Sequence, residues 1–189
     1  ALSEHCSGVQ VGIAFGKFIT PDHLGYVGQV FRHAQHGLDA LQRLLRFGSL
    51  FDSEASRHEA RLEMTRDTIR VMASGPDAGN RLECVEATMF GVITQMRAFV
   101  LTDTAATEIY THQTDQRNRA AYEEFFACPI HFGSAQEGMV FAREPLLAPL
   151  RGANVEAAER IEAYVAQTFA GSPDAALPTK LRSGVREQL

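Results

Sequence analysis

The sequence predicts an α+β fold, an antiparallel sheet of about five strands covered by helices in a single domain. Two alternating segments, 58–65 and 68–74, stand only two residues apart and read as a hairpin. Residues 81–101 carry an apolar stripe wide enough to need a sheet beneath it. Residues 122–150 read as a helix end, a strand, a turn and a second strand. The resulting order is helix, strand, strand, long helix, strand, helix, strand, strand, helix. It lacks the regular strand–helix alternation of a doubly wound sheet, and no glycine-rich strand-to-helix turn offers a nucleotide site.

Residues 8–20 mix glycines with Val11, Ile13, Phe15 and Phe18, an irregular packed opening or a short helix. Pro21-Asp22-His23 starts a new element. Over 37–47, Leu38, Leu41 and Leu45 share a helical face while Asp39, Gln42, Arg43 and Arg46 point elsewhere. In the hairpin, Ala60, Leu62 and Met64 alternate with charges, and Ile69 and Val71 with Arg70 and Met72. Arg66-Asp67 between them holds no glycine, which leaves the turn type open. Gly75-Pro76-Asp77 breaks the chain. In the long helix Leu82, Val85, Met89, Ile93, Met96 and Val100 recur at steps of three and four, and Phe90 and Phe99 widen the stripe.

Residues 107–111 form a third strand, with Ile109 and Thr111 opposed to Tyr110 and His112. Tyr122, Phe125 and Phe126 share one face of a helix over 116–127. Cys128-Pro129 stops it, because a proline disfavours helical backbone in the residue before it. Ile130 and Phe132 alternate with His131, Gly133-Ser134 turns the chain, and Met139-Val140-Phe141 begins again. Phe132 is expected to point inward from a central strand. Residues 155–169 form an amphipathic helix with Val155, Ala158, Ile161, Val165 and Phe169 on one side and Glu162 at its edge. Gly171-Ser172-Pro173 ends it, and 177–189 starts another helix.

At 189 residues the chain can bury one continuous core. Apolar residues make up 45% and charged residues 22%, ordinary for a globular protein. Cys6, Cys84 and Cys128 are too scattered for a disulfide framework and form no CxxC pair, which favours a reducing, cytoplasmic compartment. Gln95, Arg97 and Asp103 interrupt the longest apolar stretches, so no membrane span is expected. No signal peptide opens the chain, and Ala1 reads as a fragment boundary. With 23 acids against 18 bases the net charge is -5, which argues against nucleic-acid binding by this piece itself.

Residues 122–150 also resemble a known sequence. Tyr122 with Phe125, Cys128-Pro129, Phe132-Gly133, Val140-Phe141, Leu146 and Pro149-Leu150 resemble the close of the N-terminal effector-binding (arabinose-binding-like) domain of AraC-type transcriptional regulators. Gly12 with Gly16, and Leu24-Gly25-Tyr26, match looser features of that family. The resemblance covers residues 8–189 and is specific over 122–150. It implies a bacterial ligand-sensing and dimerising domain over residues 1–175. Residues 176–189 would then start a linker to a C-terminal helix-turn-helix DNA-binding domain beyond Leu189. The implied partners are a small-molecule effector, a second copy of the chain, and DNA only through that further domain. No cofactor is implied. A free-standing binding or interaction domain is the alternative, and the length of the native gene separates the two. An enzyme ranks third, because no acid, base and nucleophile assemble from the motifs.

Cys128 and His131 should point to opposite faces of a strand, which suits a structural cysteine better than a nucleophile with its base. His33 and His36 share a helix face but supply only two of the ligands zinc requires, so no metal site is expected. The ligand-binding candidates are Tyr26, Arg32, Met89, Phe90, Arg97, Tyr110, His112 and Phe132. Met89, Phe90 and Phe132, with Met96 and Phe99, would line the helix–sheet space, as core or as an apolar ligand site. Arg97 and Arg32 would meet a ligand carboxylate or lie on the surface. Tyr110 and His112 point the same way from the third strand, where the family places a histidine followed by a proline. This chain has Gln113-Thr114-Asp115 there, and His112 either caps the turn or touches ligand. The dimerisation candidates are Val155, Ile161, Val165 and Phe169, a stripe that would otherwise pack on its own domain.

Overall fold

The computed structural model of the chain describes residues 11–48, 59–74, 82–99, 106–114 and 118–169. The opening is a helix, α1 (Val11–Phe18), lying along the long helix α4 (Leu82–Phe99). Two small residues permit that approach. A Cβ on Gly12 would come 2.2 Å from the Glu83 carbonyl oxygen, and one on Gly16 would come 2.5 Å from Phe90 Cβ. After a 3-10 turn at Pro21–Leu24 come α2 (Gly25–Arg32) and α3 (Gly37–Gly48).

Five strands are described: β1 (Glu59–Met64), β2 (Thr68–Ser74), β3 (Glu108–Thr111), β4 (Ile130–Phe132) and β5 (Glu137–Ala142). Their order in the sheet is β1-β2-β5-β3-β4. The hairpin is antiparallel, Leu62 opposite Val71. Its turn needs no glycine, because the Thr65 hydroxyl accepts from Thr68 N at 3.0 Å while Thr65 N donates to the Thr68 carbonyl at 2.9 Å. The sheet departs from the expected all-antiparallel pattern at one pair: β3 and β4 are parallel. They are joined through α5 (Arg119–Phe126), and a helical crossover returns the chain in the same direction. Ala127 ends α5 in the left-handed region at φ 52°.

One face of the sheet bears the core. Leu62, Ile69, Val71, Ile109, Met139 and Phe141 meet Met89, Phe90, Ile93 and Met96 of α4 and Tyr122 and Phe126 of α5. On the other face Arg61, Glu63, Arg70 and His131 are exposed. β4 lies at the sheet edge, so Phe132 is half-buried rather than the inward residue of a central strand. The central strand is β5, all buried but its last residue. It runs directly into α6 (Arg143–Leu147), a short helix that the sequence reading lacks because no turn residue separates the two. Leu146 of α6 is fully buried against α3.

The last helix, α7 (Val155–Phe169), packs on α2, where Val27, Val30, Phe31 and Val165 form a second, smaller core with Ile161 against it. Glu162 of α7 pairs with both Arg43 and Arg46 of α3, and Arg43 also donates to Asp39 at 2.9 Å. Among the described residues no helix is long and apolar enough to cross a membrane. The break at Gly75-Pro76-Asp77, the segment 176–189 and the side chains of Phe99 and Phe169 lie outside the described residues.

Candidate ligand-binding site

Polar groups are buried together where α4, α5 and the sheet meet. α4 turns Glu86 onto the same side as Met89, Phe90 and Ile93, leaving it 2% exposed. β5 turns Glu137 onto the face of Met139 and Phe141, leaving it 5% exposed. Between them stands Tyr122 of α5, with no exposed surface. Its hydroxyl donates to Glu86 Oε1 at 3.4 Å. Asn118 Nδ2 donates to Glu86 Oε1 at 2.8 Å. Glu137 Oε1 accepts from His112 N at 2.7 Å and from the Thr111 hydroxyl at 3.2 Å. Glu137 Oε2 is buried and has no partner among the described residues. Thr111 is opposite Phe132, whose ring lies beside Tyr122, so the Tyr122–Glu86 and Thr111–Glu137 hydrogen bonds belong to one buried neighbourhood.

Burial raises the Glu137 carboxyl above its ordinary range, against the hydrogen bond from His112 N. Burial likewise raises Glu86, partly offset by Asn118 and Tyr122. The Tyr122 hydroxyl is pushed far up, first by burial and then by the charge of Glu86. The negative charge of Glu86 also acts on Glu137. Aromatic rings wall the cluster. Phe90, Phe126 and Phe132 lie 5.1, 5.6 and 5.7 Å from the Tyr122 ring centre. Lys17 and Arg97 sit over Phe125 at 5.4 and 4.5 Å, and Arg119 over Phe132 at 4.2 Å. The arrangement holds acceptor-rich, water-poor surface lined by π faces, the makings of a small-molecule site.

Over residues 1–150 the sequence matches the family described as the arabinose-binding domain of AraC transcription regulator, N-terminal. The chain belongs to that family. Among solved structures, the transcriptional regulator CdpR from Pseudomonas aeruginosa is similar, with a TM-score of 0.64 and 19% identity over 81% of this chain and 50% of that one. At that identity the likeness shows the fold. The chain spans about half the length of that regulator. No curated protein sequence matches it.

Within this AraC-type domain the sequence-derived ligand candidates divide among separate places. Phe90 and Phe132 touch Tyr122, Met89 is buried in the same core, and His112 donates its backbone N–H to Glu137. The His112 ring meets the Ser134 carbonyl at 2.5 Å, closing the turn after β4. Tyr110 does not join it. β3 ends at Thr111, and Tyr110 stacks at 4.4 Å on His131 on the outer face, donating to Glu108 at 2.7 Å. Arg97 is exposed and donates to the Phe125 carbonyl at 2.5 Å. Tyr26 and Arg32 lie on α2, Tyr26 against Tyr164 and Arg32 paired with Asp22 at 3.0 Å.

Of the dimerisation candidates, Ile161 and Val165 pack on α2, while Val155 is 40% exposed. Cys128 packs against the core with its thiol raised by burial, and His131 faces the opposite side. His33 meets the Gly152 carbonyl at 3.0 Å, and His36 accepts from Asp39 N at 3.0 Å. Among the described residues no group of three or more possible ligands gathers for a metal.

Sequence reasoning missed Glu86, Thr111, Asn118 and Glu137. Two of these carried a signal. Glu86 falls four residues after Leu82 and four before Phe90, inside the apolar stripe. Glu137 is in phase with Met139 and Phe141.

Proposed function

We propose that this domain senses a small effector at the Glu86–Tyr122–Glu137 cluster and self-associates. Effector binding then governs how a DNA-binding domain elsewhere in the full-length regulator is presented. The observation that carries the reading is a buried, aromatic-walled polar cluster with an unpartnered carboxylate oxygen, within a domain of a regulator family. A described cavity between Phe31, Ala40, Leu44, Val92, Gln95 and Met96 measures about 10 Å³, room for a single water. An effector at Tyr122, which has no exposed surface, binds an arrangement in which α5 stands farther from the sheet. Unequal affinity for two arrangements is what lets a ligand act on a distant domain. Native mass spectrometry of the purified chain tests this. A co-purified compound of metabolite size, absent from Tyr122→Leu, is expected. Repeated absence of any such mass, with no stabilisation by a metabolite library, overturns the reading.

Self-association is assigned to the outer side of α7, since its inner side already meets α2. There Val155 and Tyr164 are exposed, Tyr164 against Tyr26 at 5.0 Å. Light scattering of Tyr164→Glu should give a folded monomer, and a folded variant with the parent's dimeric mass removes α7 from the interface. The acidic chain alone should not bind its promoter, and saturable sequence-specific retardation in a gel shift would contradict that.

A further inference from the structure

We infer that Glu86, held by Tyr122, and Glu137, held by Thr111, form a subsite for an ammonium group, so that the effector is an organic cation of the alkylamine class. The inference rests on the sensing role proposed above and narrows its ligand.

The groups facing the two carboxylates come from every element around them. α4 contributes Glu86, with Glu83 one turn earlier adding negative charge. Asn118 and Tyr122 approach from α5 and its start, and Thr111 and His112 from the end of β3. Among the described residues, the hydrogen bonds that reach the carboxylates come from an amide, two hydroxyls and a peptide N–H, all neutral donors. The His112 imidazole acts on Glu137, and its Nδ1 already meets the Ser134 carbonyl. No lysine or arginine of the described residues pairs with either acid. An ionised carboxylate in such a setting is costly unless a cation joins it, and two within electrostatic reach of each other cost more than either alone.

Glu137 Oε2 supplies the second observation. It is an acceptor on a residue 95% removed from solvent, and the described residues leave it without a donor. An ammonium group brings three donors and one positive charge, enough for Oε2, for Glu86 and for a third acceptor. The rings of Phe90, Phe126 and Phe132 around Tyr122 give apolar surface for the stem of such a cation. A carboxylate or phosphate ligand would be repelled by the same pair. A neutral donor would satisfy Oε2 and leave the excess charge in place.

The test uses the 189-residue chain and three probes of one size: n-butylamine hydrochloride, n-butanol and sodium butyrate. Calorimetric titration and thermal shift are read at about pH 8, where the amine is charged and an ordinary carboxylate is ionised. The amine should bind saturably and raise the melting temperature, and its two counterparts should do neither. Glu137→Gln, checked for folding by near-UV circular dichroism, should weaken amine binding at least about tenfold, the factor that corresponds to about 1.4 kcal/mol. Equal binding by the folded variant overturns the subsite.

Should that variant not fold, the parent alone decides. Lowering the pH towards the carboxylate range leaves the amine charged but neutralises the site, so its affinity should fall, and an unchanged affinity overturns the inference. If the amine fails while a neutral or anionic metabolite co-purifies with the chain, the cation subsite is wrong and the sensing role stands. If no compound of any charge binds, both fall.

Discussion

Between α3 and α7 a carboxylate with 17% of its side chain exposed, Glu162, stands between the guanidinium groups of Arg43 and Arg46. Between α4, α5 and the sheet two deeper carboxyl groups, Glu86 and Glu137, meet only neutral donors among the described residues. The first arrangement matches every charge with its opposite while water still reaches the rim, and it fastens one helix to another. The second leaves a buried oxygen unmatched among the described residues. A core selected for stability alone would put a leucine or methionine at 86, in line with Met89 and Ile93. Acids retained where they cost stability point to binding, and acids given arginines point to architecture.

The largest effect that can break this contrast is expected at Tyr122, which binds Glu86 and is wholly buried. Tyr122→Ala should cost about 3–5 kcal/mol by urea denaturation, through the cavity and the hydrogen bonds lost together. Phe132→Ala, at the half-buried sheet edge, should cost roughly half of that. Equal costs would mean that the cluster is ordinary core and that its polar members do not set it apart.

The architectural acid comes next. Glu162→Ala removes one partner from Arg46 and one of two acidic partners from Arg43, whose side chain is 9% exposed. Asp39 still meets Arg43, so the loss should be about 2 kcal/mol rather than that of a stranded buried charge. A loss below about 0.5 kcal/mol, the scale of an exposed pair, would show that the apolar contacts of Ile161 and Val165 dock α7 without it.

Much of this organisation was legible in the chain. The hairpin, the long helix and α7 follow from periodicity, because each has one buried face and a repeat that matches its geometry. The parallel β3–β4 pair was not legible, since strand direction depends on where a crossover returns the chain and no local pattern records that. The site divides the same way. Phe90 and Phe132 could be named as apolar residues near the sheet, but their convergence on Tyr122 is a tertiary fact. The sequence reading of Glu162 as a residue narrowing an apolar stripe gave no sign of Arg43 and Arg46, 119 and 116 residues away. Arg32 and Tyr26 fell to the other side of the molecule because α2 packs on α7 rather than on the sheet.

A smaller effect separates the two regions by pH. The folded state raises the Glu137 and Glu86 carboxyls above the ordinary 4.5, so it holds protons that the unfolded chain has released. Their contribution to stability is therefore fully present below 4.5 and declines as pH rises through the raised folded values. Glu137→Gln keeps the shape and removes the charge. It should raise the melting temperature in the neutral range and leave it nearly unchanged at low pH, provided no ligand is bound. A variant less stable than the parent throughout would mean that the carboxylate has a cationic partner in the free protein.

The smallest effect is expected at Glu108, on the outer face of the same sheet. Tyr110 and then His131 hydrogen-bond its carboxylate and lower it below its ordinary range. The sign is opposite to that of Glu137: the stabilisation is present above 4.5 and is lost as pH falls through the lowered folded value. Its side chain is 36% exposed and that of His131 is 48%, so solvent screens most of the interaction. Glu108→Gln should change stability by less than about 0.5 kcal/mol near neutrality, and the change should be a loss. Measured together, the two substitutions put the same chemistry on opposite faces of one sheet. If Glu108→Gln also stabilised the chain at neutral pH, repulsion within an acidic molecule of net charge -5 would explain both variants. Burial at Tyr122 would then no longer be what distinguishes the inner pair.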